Sequence, residues 1–409
     1  MSGTRAAKGA KAPARTSART SARAAAEAAG KPARAARAGA AAAGESRAPA
    51  DPGRTGPAGA ESKASTLSGP TLSGRVSLAL QGGGAHGAFT WGVLDRLLEE
   101  PGLEIAAVTG TSAGALNGAC LKAGLVAGGP EAARKRLRAL WERVADIGDL
   151  RMIPWMQPFL PAMRLWQDTA QALLPVSPAG LAAQIWSPYA LGGQYRNPLE
   201  PVVRDLDFSE VCAGAGPALF VGATNVRTGK VRVFAGNEIT PEAIMASACL
   251  PSVFQAVEIG DETYWDGGYA GNPSLWPLYQ KDLPDDIVIV QVNPLRRDSI
   301  PETPLEIQNR VNEISFNASL LSELRSVAFV KRLLAEGRLQ PGQMKDLRIH
   351  MIADDALMND LSATSKLQPG GALVERLFEA GRAAAAGFVA GDGRSVGIES
   401  TADLTGLLG

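Results

Sequence analysis

Large apolar side chains are nearly absent from the first 74 residues, where only Met1, Leu67 and Leu72 qualify, and then they begin abruptly. Val76, Leu78 and Leu80 alternate as in a short strand that runs straight into Gln81-Gly-Gly-Gly-Ala-His-Gly87. Phe89, Trp91, Val93, Leu94, Leu97 and Leu98 follow at helical spacing. Ile105 to Val108 reads as a buried strand, Gly110-Thr-Ser-Ala-Gly114 as a tight connection, and Ala115 to Lys122 as a small-residue helix. Strand, glycine-rich turn and helix thus occur twice, which predicts a mostly parallel sheet with covering helices.

The pattern breaks over residues 150–200. Seven prolines interrupt regular structure there, while Trp155, Phe159, Trp166, Trp186 and Tyr189 supply aromatic surface. This stretch reads as an insertion, either a lid or acyl-chain surface over the core or a segment folded into it. Strands return at Leu219 to Ala223 and Val231 to Phe234, then a helix from Pro241 to Ala248 and a hairpin Val257–Ile259/Thr263–Trp265. Ile287 to Val292 reads as a further central strand, Leu347 to Ile352 as another, and Leu373 to Val389 as a closing helix. Between these last strands, Leu305, Val311, Ile314, Leu321, Leu324, Val327, Val330 and Leu334 mark a long amphipathic helix. Its simplest reading is a core-facing helix with a solvated, charged side, in preference to a membrane-binding one. No repeat at a solenoid period is present.

Charge divides the chain in the same place as hydropathy. The 409 residues hold 41 Lys+Arg and 41 Asp+Glu, but residues 1–74 carry 12 of the former against 4 of the latter. The first stretch is therefore +8 and residues 75–409 are −8. With 25 alanines and almost nothing to bury, residues 1–74 cannot recover the entropy of ordering and read as a disordered tail. The tail's charges are sparse and lack interleaved aromatics, so it reads as a solvated linker and no nucleic-acid partner is expected. Its Arg-, Ser- and Ala-rich composition also fits an organelle transit peptide, whereas the apolar region of a secretory signal is missing. No apolar run approaches the ~20 residues of a membrane span. Cys120, Cys212 and Cys249 are widely spaced and in no metal-ligand pattern, as expected of reduced thiols in a cytosolic protein.

Three glycine-bearing segments carry candidate chemistry. Gly110-Thr111-Ser112-Ala113-Gly114 fits G-x-S-x-G between a strand and a helix, where a nucleophilic serine needs small neighbours and gains the N–H donors of a helix N-terminus. A glycine-rich turn with an idle serine has the same pattern. A serine hydroxyl needs a base, and the chain has two histidines. His86 lies inside the glycine loop, and His350 alternates with Leu347, Ile349 and Ile352 as a packed strand residue would. Asp266, in Tyr264-Trp265-Asp266-Gly267-Gly268, is the strongest alternative base, because an aspartate among apolar groups has a raised pKa. An Asp-Gly hairpin turn is the plainer reading of the same residues. The third segment, Gly82-Gly83-Gly84-Ala85-His86-Gly87, is formally a dinucleotide fingerprint. The acidic residue that would hold a ribose is missing from the end of the second strand, since Glu104 sits at its wrong end. The loop can instead present backbone N–H groups to an oxyanion beside Ser112.

Taken in this order, Gly82–Gly87, Gly110–Gly114 and Asp266-Gly267-Gly268 resemble the patatin-like phospholipase family. Ala246-Ser247-Ala248-Cys249-Leu250-Pro251 resembles that family's Ser- and Pro-containing block, and Asn272-Pro273 its polar-Pro step. The resemblance spans about Val76 to Val292. It implies a three-layer α/β/α fold and a Ser112–Asp266 dyad without histidine. Oxyanion donors are then expected from Gly82, Gly83, Gly84, Gly87 and Ala113, supported by Gly110, Gly114, Gly267 and Gly268. It implies hydrolysis of lipid acyl esters with no metal or cofactor, and an acyltransferase would share every one of these residues. A nicotinamide-dependent oxidoreductase and a non-catalytic lipid-binding or scaffold protein are the remaining alternatives. The expected partner is a lipid or acyl-ester substrate, met by transient contact at a membrane surface. Residues 75–295 are read as the catalytic domain, 296–395 as a mainly helical extension packed on the core, and 396–409 as a flexible tail.

Overall fold

The computed structural model describes residues 72–148, 188–189, 195–362 and 365–409. The basic tail through residue 71 and most of the Pro/Trp-rich stretch at 150–200 lie outside these residues. One eight-stranded sheet organises the rest. Its strands are β1 (Ser73–Leu80), β2 (Gly102–Thr111), β3 (Ala218–Asn225), β4 (Val231–Ala235), β5 (Val257–Ile259), β6 (Glu262–Asp266), β7 (Asp286–Val290) and β8 (Arg348–Ile352). They run in the order β5-β6-β3-β2-β1-β7-β8, with β4 also on β3. The pairings β3/β2, β2/β1, β1/β7 and β7/β8 are parallel. The pairings of β3 with β4 and β6, and of β5 with β6, are antiparallel.

Alternation along the central strands builds two cores, because successive side chains leave a strand on opposite faces. Leu78, Leu80, Val108, Val288 and Val290 face helices α1 (Gly87–Leu97), α2 (Ala113–Ile147) and α5 (Gly371–Ala390). Ala79, Ala107, Ile287 and Ile289 face the other way, onto Leu320, Leu324 and Val327 of α4 (Pro304–Ala335). The remaining helix used below is α3 (Pro241–Ser247). Helices on both faces of a mixed, mostly parallel sheet make the three layers. Trp91 of α1 stacks on Phe378 of α5 with ring centroids 3.9 Å apart, which helps hold the outer helices together.

Several sequence boundaries move. The sheet starts at Ser73, which pairs with Gly102, two residues before the expected onset. The helix after Ser112 continues past Lys122 to Ile147, with non-helical backbone at Gly128 and Gly129 just before Pro130. Glycine and proline there bend the chain and let it resume, where the sequence pattern suggested a stop. The region 296–395 completes the sheet as well as packing on it, since β8 pairs with β7 along its full length. Residues 396–409 are no loose tail. Thr401 and Ala402 donate to the Ile349 carbonyl, Ser400 accepts from Ile349 N–H, Gly397 donates to Asp286, and Leu404–Leu408 forms a helix. The exposed edge of β8 offers backbone groups that need partners, and these polar residues supply them.

The long helix turns a different face inward from the one its apolar pattern suggests. Leu324 and Val327 are buried as expected, but so are Glu313 and Asn317, while Val311 and Ile314 are more than half exposed.

Candidate active site

Ser112 sits between the end of β2 and the start of α2 with φ 55° and ψ −122°, the one non-glycine residue with left-handed φ among the described residues. Such a conformation costs on the order of 1–3 kcal/mol and is held only where packing leaves no alternative. The packing is visible at the flanking glycines. A Cβ on Gly110 would lie 2.5 Å from the Gly114 carbonyl oxygen, and one on Gly114 would collide with the Leu80 carbonyl. Ser112 N–H donates to Ser247 Oγ at 2.9 Å, and Ser247 Oγ donates in turn to the Gly222 carbonyl at 2.6 Å. Ser247, at the end of α3, therefore ties the strained turn to β3.

Strand β3 also brings Asp266 to Ser112. Its residues 218–222 pair with β2, 220–224 with β4 and 223–225 with β6. Since Ala223 and Thr224 pair with both β4 and β6, those two strands lie on opposite edges. β6 consequently continues the edge that β2 vacates. Thr111 is paired with Gly222 and Asp266 with the next residue, Ala223, so the two candidate residues emerge side by side. Gly267 keeps the junction tight, because a Cβ there would collide with the Gly222 carbonyl.

The Asp266 carboxyl is almost completely buried. Oδ1 accepts from Gly268 N–H at 2.8 Å, and Oδ2 has no aligned hydrogen-bond partner. Burial pushes its pKa up to about 7, opposed by the Gly268 N–H and by the neighbouring Ser112 side chain. Its backbone is pinned by Asp266 N–H to the Cys249 carbonyl at 2.7 Å and by Thr224 Oγ1 to the Asp266 carbonyl at 2.8 Å.

The glycine loop closes the third side. A Cβ on Gly82 would lie 2.7 Å from the Ser112 Cβ, so loop and serine touch directly. Gly82 N–H donates to Asn272 Oδ1 at 2.7 Å, and the Gly82 carbonyl accepts from Asn293 Nδ2 at 2.6 Å. Gln81 extends this buried amide network to Asn317 of α4 and to the backbone of Val292 and Asn293. Gly84 has φ 60° and packs on the Lys366 carbonyl. Of the five expected oxyanion donors, Gly82 is engaged by Asn272, and Gly87 N–H turns back to the Gly84 carbonyl. Gly83, Gly84 and Ala113 have N–H groups without an acceptor among the described residues.

Neither histidine joins this group. His86 is buried with Nε2 2.7 Å from Ser365 Oγ, and burial together with Lys366 lowers its pKa to about 3. His350 lies on β8 between Asp286 and Thr401, at 3.0 and 3.1 Å. Two strands, β1 and β7, separate β8 from β2, so His350 is remote in the sheet order. Among the described residues no cluster of three His, Cys, Asp or Glu side chains could hold a metal ion. Cys120, Cys212 and Cys249 are free, and burial raises the thiols of Cys120 and Cys249 to about 12. Sequence reasoning missed the amide network of Gln81, Asn272, Asn293 and Asn317. Only Asn272 carried a signal, through its neighbouring proline.

The family model described as patatin-like phospholipase matches residues 78–279. Among solved structures, VipD from Legionella pneumophila is 14% identical, with 78% of this chain and 67% of that chain covered and a TM-score of 0.35. The heterodimeric ExoU–SpcU complex from the type III secretion system of Pseudomonas aeruginosa matches at 19% identity and a TM-score of 0.25. That match covers 61% of this chain and 51% of the other, so the chain spans about half the length of its counterpart there. No curated protein matches the chain. Residues 78–279 match the patatin-like phospholipase family, and the glycine loop, Ser112 and Asp266 all lie inside the matched span.

Proposed function

We propose that the protein is a serine acyl hydrolase of lipid esters, with Ser112 as nucleophile and Asp266 as its base. The observation that carries this reading is the junction on β3, where a strained serine and a buried carboxylate are set side by side by consecutive residues. In its ionised form Asp266 takes the Ser112 proton as the serine oxygen attacks the ester carbonyl. The N–H groups of Gly83, Gly84 and Ala113 receive the oxyanion, with Gly82 and Gly87 acting through the close approach they permit. Collapse of the tetrahedral intermediate breaks the ester bond, and protonated Asp266 returns its proton to the leaving alcohol. Water then attacks the acyl-enzyme, gives a proton to Asp266, and releases the acid as Ser112 recovers its own. A pKa near 7 suits both halves of this cycle, because the same group must accept and donate near neutrality. Direct contact between Gly82 and Ser112 favours this use of the glycine loop over a dinucleotide site.

Fluorophosphonate labelling tests nucleophile, oxyanion site and access together. Ser112 should be labelled in the wild type, the label should vanish in Ser112→Ala, and it should form far more slowly in Asp266→Asn. Hydrolysis of short-chain nitrophenyl esters should be lost in both variants. Folded variants with wild-type turnover would sink the dyad.

A further inference from the structure

We propose that the outward face of α4 is a docking surface for an anionic lipid bilayer; the choice of a lipid partner rests on the lipid-ester reading above. Ile307, Val311, Ile314, Ala318 and Leu321 recur three or four residues apart, which puts them on one stripe of the helix. Ile307, Val311, Ile314 and Phe329 are 46–58% exposed, an unusual investment of large apolar side chains in water. A groove of about 310 Å³ opens along the stripe between Ile314, Leu321 and Leu407, with Arg310 and Arg325 in its lining.

Arg310, Arg325 and Arg332 edge this face, with Glu336 beside Arg332 at its C-terminal end. Arg325 is exposed and has no ion-pair partner among the described residues. Arg332 lies over the Phe329 ring, with Glu336 Oε1 3.9 Å away, and Arg310 is braced by Glu313 and the carbonyls of Pro294 and Leu295. The three carboxylates of the helix serve elsewhere. Glu306 completes the capping box, Glu313 is buried among Arg297, Arg310 and Lys366, and Glu323 accepts from Leu275 and Trp276 N–H. An apolar stripe edged by three arginines, of which Arg325 has no ion-pair partner among the described residues, matches acyl chains beneath anionic head groups. The face also connects to the site, since Phe316 on the buried side of α4 packs on Gly268, next to Asp266.

The test is sedimentation of the full chain, in a Ser112→Ala background, with phosphatidylcholine vesicles with and without phosphatidylglycerol. Binding should be stronger to the anionic vesicles. The double variant Val311→Asp/Ile314→Asp should weaken it at least about tenfold, and Arg325→Glu about fivefold at low salt. Val311→Leu/Ile314→Leu should bind as the parent does. In the active background the Asp variants should keep short-chain ester turnover, which certifies the fold, while hydrolysis of vesicle lipid falls. Vesicle binding unchanged in the Asp variants, as when the basic tail alone binds, overturns the proposal. Stripe-dependent dimers by light scattering with no effect on vesicles overturn it in favour of self-association. Binding is read without turnover, so an inactive wild type would refute the hydrolase reading and leave the surface standing.

Discussion

Replacing Asp266 by Asn should make the protein more stable and inactive, and the gain should depend on pH in a calculable way. In the folded chain the carboxyl is moved from 3.8 to about 7, chiefly by burial. Below about pH 4 both folded and unfolded forms are protonated and the group contributes nothing against folding. As pH rises the unfolded chain ionises first, so a stability advantage of the neutral buried acid is lost progressively until the folded form ionises too near pH 7. At about 1.4 kcal/mol per pH unit, the ionised buried carboxylate costs the folded state about 4 kcal/mol above that point. Asn keeps an acceptor for Gly268 N–H and never ionises, so it escapes that cost. The difference in unfolding free energy between Asp266→Asn and wild type should therefore grow by about 3 kcal/mol between about pH 5 and about pH 8.5. Urea denaturation at a series of pH values measures it, and all other titrating groups cancel in the difference. Wild-type kcat/KM should rise over the same range with a midpoint near 7, because only ionised Asp266 accepts the serine proton, while the variant should lose about 10²–10⁴-fold. A stability difference that stays flat across this range would refute the reasoning, since it would mean an ordinary carboxyl pKa at this position.

Two other substitutions separate positioning from architecture. Ser247→Ala removes the acceptor of the Ser112 N–H bond, so it should lower kcat about tenfold or more with KM little changed and cost about 1–3 kcal/mol of stability; steady-state kinetics with thermal melts check both, and a wild-type kcat would show the turn holding without it. His350→Ala strips a partner from Asp286 and leaves a cavity at the β7–β8 pair, so it should cost about 2–4 kcal/mol while leaving kcat/KM within about threefold; a several-hundredfold loss in folded protein would call the histidine-free dyad into question.

The parts of this protein that were legible in its sequence are local ones. The first strand, the glycine turns, the hairpin ending at Asp266 and the long helix all depend on spacing within a few residues, and the structure places them within a few positions of expectation. The pairing of Ser112 with Asp266 was legible only through the ordered motifs, because the register on β3 that joins them is set between residues far apart in sequence. The amide network was hidden for the same reason: Gln81, Asn272, Asn293 and Asn317 share no spacing, and isolated amides look like surface residues. The orientation of α4 was misread for a physical reason. Asn317 faces inward to bond Gln81, and Glu313 faces inward to Arg297, Arg310 and Lys366. Satisfying those buried polar groups rotates the helix and leaves Val311 and Ile314 in water. Periodicity located the helix, but the polar partners decided which stripe is buried.

The junction on β3 makes a single strand the gauge of the proposed dyad. Ser112 and Asp266 are 154 positions apart in the chain, yet their strands are registered on Gly222 and Ala223, whose Cα atoms one trans peptide holds about 3.8 Å apart. The spacing of the strands that carry the proposed nucleophile and base is thus anchored on a covalent unit that cannot stretch. Stretches between the two residues other than β3, Ser247 and Cys249 can lengthen, shorten or change composition without moving that register. On the proposed reading, substrate preference can drift in those stretches while the geometry of the dyad stays fixed.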